Sequence, residues 1–98
     1  MSITLREAYT NYPVPSDGET TAFGMYLFAE VPHPDDGRII TAIRYTSDDD
    51  TAWSYFDTVD ETVAMQQYID DYTALLGEPD NDDLNHLKEM TDALKATL

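Results

Sequence analysis

The sequence predicts a single α+β domain: a short helix, a three-stranded antiparallel meander, and two helices packed on one face of the sheet, in the order α-β-β-β-α-α. Two observations predict this fold. Alternating apolar stretches joined by short turns fill residues 21–57, and two apolar stripes with helical spacing follow in residues 58–98. Because 98 residues is the size of one domain, the sequence predicts a single acidic α+β domain over residues 1–98.

The first element is a short helix predicted over about residues 4–10. Residues 4–7 have the form of a capping box, in which the Thr4 hydroxyl accepts a hydrogen bond from the first turn and Glu7 reaches back to the cap. Pro13 and Pro15 cannot continue this helix, since a proline pushes the residue before it into extended geometry.

The meander is predicted from strands over residues 21–31, 38–46 and 52–57. Both alternating faces of the first strand are largely apolar, which is typical of a central strand covered on both sides. Turn signals separate the strands: a Pro-Asp-Gly type of turn at residues 32–37 and a Ser-Asp-rich turn at residues 47–51. Connections this short favour antiparallel pairing.

Two C-terminal helices complete the prediction. Residues 58–61 repeat the capping-box pattern and begin a helix that ends at Gly77, with an apolar stripe from Met65 to Leu76. A last helix follows residues 78–81 and carries a stripe from Leu84 to Leu94. Residues 80–83 also open like a calcium-binding loop, but leucine and asparagine at the next two positions favour a helix N-terminus instead.

The net charge of −15 is the outlying property of this chain. Residues 46–98 hold fourteen acids and two lysines, a net of −12, whereas residues 1–45 hold six acids and three arginines, a net of −3. Such a charge disfavours direct binding to nucleic acid or to an anionic membrane and attracts basic surfaces. We therefore expect a basic protein surface as the partner.

Carboxylates fall on the side of each C-terminal helix that lies opposite its apolar stripe, at about 100° per residue. The aspartate turn after the second strand would extend this acidic surface if the sheet places the turn near the helices. The predicted partner-binding residues are Asp48, Asp49, Asp50, Asp60, Asp70, Asp71, Asp82, Glu89 and Asp92. The alternative interpretation is that these are solvated helix faces, which any amphipathic helix needs.

No catalytic, cofactor-binding or metal-binding residues are predicted. The chain has no cysteine, and neither histidine has further ligands at metal-binding spacing. His33 is expected in a turn and His86 at an exposed helix position. There is no nucleophile elbow and no glycine-rich phosphate loop. The start of the chain lacks the features of a secretory signal, and no apolar run approaches the roughly 18 residues that span a bilayer, so a cytoplasmic protein without membrane contact is expected.

The resulting functional hypothesis is a non-catalytic inhibitor or adaptor that docks its acidic helices on a nucleic-acid-handling protein. Anti-restriction proteins, phage anti-CRISPR proteins and nuclease-immunity proteins are of this kind, and the likeness is one of size and charge. Duplex DNA carries about ten charges in roughly 16 Å of its axis. Residues 60–71 cover about that length of helix with only four carboxylates, so one helix alone is too sparse to imitate DNA. The alternatives are a salt-adapted protein and a virion or assembly subunit, in which acidity serves solubility.

Overall fold

The computed structural model describes residue 15, residues 20–48 and residues 53–98. The predicted helix over residues 4–10 lies outside these ranges, as do Asp49 and Asp50. The described elements are, in chain order, β1 (Thr20–Phe23), β2 (Tyr26–Pro32), β3 (Ile39–Tyr45), β4 (Ser54–Phe56), α1 (Glu61–Leu76) and α2 (Asn81–Thr97). The strands pair antiparallel in the order β1-β2-β3-β4. The α+β fold, with an antiparallel meander followed by two helices, is confirmed, although the described meander has four strands and not three.

The extra strand arises because the predicted first strand is a hairpin. Phe23 pairs with Tyr26, so the turn consists of Gly24 and Met25. Gly24 has a φ of 59°, the conformation that glycine provides at the first central position of a tight hairpin turn. Because Phe23 pairs with Tyr26, the two side chains lie on the same face of the sheet. There the Phe23 ring meets the Phe28 ring edge-on, with 5.0 Å between the ring centres.

One face of the sheet packs against both helices. Its cluster of buried residues combines aromatic and aliphatic side chains of the strands with small and flexible side chains of the helices: Tyr26, Phe28, Ile43, Phe56, Ala64, Met65, Met90 and Ala93. Full burial of a large apolar side chain stabilises the fold by about 1.5–3 kcal/mol. This cluster is therefore what holds α1 and α2 on the sheet.

The opposite face of the sheet carries a second cluster of buried residues: Ala29, Val31, Ile40, Ala42, Trp53 and Tyr55. The predicted burial of both faces of the strand over residues 21–31 is thus confirmed for the part that forms β2. Arg44 is buried beside this cluster, with its guanidinium carbon 5.4 Å from the centre of the Trp53 ring. Its Nη1 donates to the carbonyl of Asp48 at 2.8 Å, which fixes the chain that leaves β3.

The helix ends are set by aspartate caps. Asp60 is the N-cap of α1 and accepts from the backbone N–H groups of Thr62 and Val63. The capping box predicted to start at Thr58 does not form the helix cap. The Thr58 hydroxyl instead accepts a hydrogen bond from the N–H of Asp60, the residue that caps α1. Asp80 and Asp83 form a reciprocal capping box at the start of α2, which confirms the helix N-terminus predicted there.

The two helices run antiparallel, which gives the molecule two distinct ends. The Thr62 and Thr97 hydroxyls lie 2.8 Å apart, while the Tyr72 hydroxyl donates to Asp83 at 3.4 Å. We name the end with Tyr72 the tyrosine end, where the β1–β2 turn and the α1–α2 connection lie. The other end, with the β2–β3 turn and the C-terminus of α2, is the threonine end.

Candidate functional site

Most of the predicted partner-binding carboxylates that the structure describes are exposed. The exposed ones are Asp48, Asp60, Asp70, Asp82 and Asp92. Asp71 and Glu89 are the two described exceptions, and each corrects the expectation that these residues face outward.

Asp71 is only 6% exposed, so the prediction that it faces solvent is wrong. It follows the fully buried Ala64 by seven residues, which places both on the same side of α1. The apolar stripe predicted from the large side chains begins at Met65 and does not include Ala64. An alanine that packs closely against a sheet carries little hydrophobic signal, and its omission displaced the predicted buried face.

Glu89 is partly exposed and turns towards the sheet, not away from it. Its Oε2 lies 3.5 Å from Nδ1 of His86, one helical turn earlier on α2. Burial, followed by the charge of Glu89, raises the pKa of the Tyr45 phenol. Glu89 is therefore held against an aromatic cluster.

That cluster is centred on His86 at the tyrosine end. The His86 ring centre lies 4.7 Å from that of Tyr45, 5.0 Å from that of Tyr72 and 5.8 Å from that of Tyr26. The Tyr26 hydroxyl is 3.0 Å from Nε2 of His86. The expectation of an exposed helix position for His86 is wrong, because the residue is partly buried. One sequence signal was present: His86 precedes Met90 by four residues and so lies on the apolar stripe of α2.

Carboxylates from two separate connections surround these rings. Burial and then the charge of Asp48 raise the pKa of Tyr68 to about 12. Burial and then Asp83, with a smaller contribution from Asp80, raise the pKa of Tyr72. Asp48 follows β3, whereas Asp80 and Asp83 begin α2, so the structure brings these acids to one end of the molecule. We call this arrangement the acidic–aromatic site; its residues are Tyr45, Tyr72, His86, Asp48, Asp80, Asp82, Asp83 and Glu89.

The chemistry of the acidic–aromatic site favours binding over proton transfer by tyrosine. Burial, followed by the charges of neighbouring phenols and of Glu89, raises the pKa of Tyr26 far above its usual range. Its hydroxyl therefore stays protonated and serves as a hydrogen-bonding group towards His86. Within residues 20–48 and 53–98, no three histidine or carboxylate side chains converge as a metal site would require.

The outer helix faces are less acidic than the sequence predicts. The exposed side of α1 offers Gln66 and Gln67 besides Asp70, and the Gln66 amide donates to Asp70 at 3.0 Å. On α2, the exposed lysines Lys88 and Lys95 alternate with aspartates. The carboxylates are concentrated at the helix ends, where they cap helices and line connections.

Comparisons with protein families, with curated proteins and with solved structures find no match for this chain. In the described part of the chain, neither helix is long and apolar enough to cross a bilayer.

Proposed function

We propose that the chain is a cytoplasmic, non-catalytic inhibitor or adaptor that docks the acidic–aromatic site on a basic surface of a nucleic-acid-handling protein. The observation that carries this proposal is the convergence of carboxylates from two connections around partly buried tyrosines. Inhibitors of the anti-CRISPR, anti-restriction and nuclease-immunity types have this mode of action.

Charge supports this choice of partner. Lysine and arginine side chains that hold phosphates form the surface most complementary to a chain with a net charge of −15. Asp48 and Asp82 are exposed and would pair with such side chains. Complementary charge of this kind speeds association and makes it sensitive to salt.

The aromatic rings support a specific contact and not only diffuse attraction. Tyr45 and Tyr72 are partly exposed, and their rings are fixed by packing against His86. A tyrosine held in place loses little conformational entropy when a partner covers it, and tyrosine is enriched among the residues that dominate binding energy. The carboxylates would then form a polar rim around an aromatic centre.

A matched pair of double variants tests the proposal. Asp48→Asn with Asp82→Asn removes two charges at the acidic–aromatic site, and Asp70→Asn with Asp92→Asn removes two charges from the outer helix faces. Each double variant removes two charges, so the two carry the same net charge. Because all four residues are exposed, both variants should fold alike. Each tagged protein is used to capture partners from a lysate of the native host, and a captured protein is purified for titration at two salt concentrations.

We expect the wild type to retain a basic nucleic-acid-binding protein and to inhibit or redirect its activity. The first variant should bind it at least tenfold more weakly, since two charge-assisted contacts are lost, whereas the second should stay within about threefold, as exposed charges outside a contact contribute little. A partner bound equally well by both variants, or no basic partner at all, would contradict the proposal and favour an acidity that serves solubility.

A further inference from the structure

The threonine end contains a pocket of about 460 Å³ that the function proposed above does not use. It opens on the helix-covered face of the sheet, beside the start of α1. Its walls combine two carboxylates, two hydroxyls and two apolar side chains, namely Glu30, Glu61, Thr21, Thr41, Phe28 and Pro32.

Strand register and the start of α1 bring the polar groups together. Glu30 and Thr41 are direct partners in the β2–β3 ladder, so their side chains project from the same face, with Cβ atoms about 4.5–5.5 Å apart. Glu61 is the first residue of α1 and lines the same pocket. Burial, followed by the charges of Glu30 and Asp60, raises the pKa of Glu61. The two glutamates are therefore close enough to repel each other.

Thr41 supplies an independent sign that the pocket binds a polar group. The residue is 1% exposed and lines the pocket, and its Oγ1 has no hydrogen-bond partner among the residues that the structure describes. Buried hydroxyl groups are normally paired, so an unpaired one that borders a pocket points to a group that binds there.

We propose that this pocket binds a primary alkylammonium group. An ammonium group has three N–H donors and no acceptor. Glu30, Glu61 and Thr41 offer three acceptors, of which two are negatively charged, and an ammonium group between the glutamates would relieve their mutual repulsion. The apolar walls formed by Phe28 and Pro32 suit the methylene chain that carries the ammonium group.

The number and kind of acceptors in the pocket distinguish this ligand from other cations. A metal ion that prefers oxygen takes six or more ligands and favours carboxylates, whereas the pocket has two carboxylates. A guanidinium has five N–H donors in one plane, and three acceptors would leave some of them unpaired. A quaternary ammonium group has no N–H donor and leaves the Thr41 hydroxyl unpaired. The ammonium group is supplied either by a lysine side chain of another protein or by a free polyamine.

This inference is independent of the proposed function, because the pocket and the acidic–aromatic site lie at opposite ends of α1. With 16 residues, α1 separates them by about 24 Å. Ligand binding at one end and partner capture at the other are measured separately, so either result can fail alone.

The test is a titration followed by the backbone amide resonances of the full chain, with n-butylammonium as the probe and its N-trimethylated form as the matched control. We expect saturable shifts at Glu30, Thr41 and Glu61 with the primary amine. Glu61→Gln should weaken binding at least tenfold because it removes a charged acceptor, and Thr41→Val about threefold because it removes a neutral one. Glu78→Gln, which removes the same charge from an exposed connection, should leave binding within twofold.

Two further arms identify the source of the ammonium group. Tighter binding of Nα-acetyl-lysine amide, which keeps its side-chain ammonium group, than of spermidine assigns the pocket to protein lysines. The reverse order assigns it to free polyamines. Equal binding of the trimethylated probe, an equal loss in Glu78→Gln and Glu61→Gln, or shifts that rise without saturation across all the acids would overturn the proposal. Glu30→Gln repeats the test at an exposed strand position in case Thr41→Val perturbs the fold.

Discussion

The tyrosine end and the threonine end are both acidic, but they differ in how the space between sheet and helices is filled. At the tyrosine end, the rings of Tyr26 and Tyr45 rise from the sheet to meet Tyr72 and His86 on the helices. At the threonine end, the helix-covered face of β1, β2 and β3 carries Thr21, Glu30 and Thr41. Their side chains are shorter or charged, and a pocket remains.

This difference determines where polar groups find partners. The Tyr26 hydroxyl is buried yet lies within hydrogen-bonding distance of His86. The Thr41 hydroxyl is equally buried and has no such partner in the described structure. The acids of the tyrosine end therefore form a rim around a filled centre, which suits a protein surface, whereas the glutamates of the threonine end line a hollow, which suits a small cationic group.

The largest expected effect concerns the tyrosine end at high pH. A phenol whose pKa is raised on folding stabilises the fold fully below its unfolded pKa and loses that contribution as the pH rises towards the folded value. For Tyr68 the window runs from 10.0 to about 12, and a shift of two units corresponds to about 2–3 kcal/mol. We expect the free energy of unfolding, measured in urea, to fall across this window, with Tyr26 acting in the same direction.

The matched variant is Tyr68→Phe, which removes the titrating phenol. Its stability should decline less steeply over the same pH window than that of the wild type. If the two proteins lose stability in parallel, then Tyr68 titrates normally and is less buried than the structure indicates.

Deleting one hydroxyl at each end should give different results, with a loss of about 1–2 kcal/mol at the tyrosine end only. Tyr26→Phe should destabilise the protein by this amount, since it leaves Nε2 of His86 without its partner. Thr41→Val should be neutral or stabilising, because it removes a buried hydroxyl that makes no hydrogen bond and keeps a β-branched shape suited to a strand. Urea denaturation of both variants measures the contrast, and equal losses would show that the two ends do not differ in hydrogen bonding.

The outline of the fold was predictable because it depends on local signals. Alternating apolar residues and turn residues predicted the meander, and apolar stripes with helical spacing predicted the two helices. The hairpin at Gly24 was missed because alternating apolar residues continue through it, and only one glycine marks the turn. The buried position of Asp71 was missed because Ala64, on the same side of α1, was not counted as part of the buried face.

The candidate sites were less predictable because they depend on pairings between distant segments. The acidic excess and its location in the C-terminal half were visible in the composition. The position of Asp48 beside Tyr68, twenty residues later, depends on how α1 crosses β3. The pairing of Glu30 with Thr41 depends on strand register, which no local pattern identifies as part of a pocket.

The smallest expected effect compares the caps at the two ends. Asp80→Ala and Asp60→Ala each remove a side chain that accepts backbone N–H groups of a first turn, and each should cost about 1 kcal/mol. Asp80→Asn and Asp60→Asn keep the cap without the charge and should cost a few tenths at most. The ends should differ in a second readout: because Asp80 contributes to the raised pKa of Tyr72, Asp80→Asn should lower that pKa and Asp60→Asn should not. A tyrosine titration followed by absorbance checks this, and an equal response to both variants would mean that Asp80 does not belong to the acidic–aromatic site.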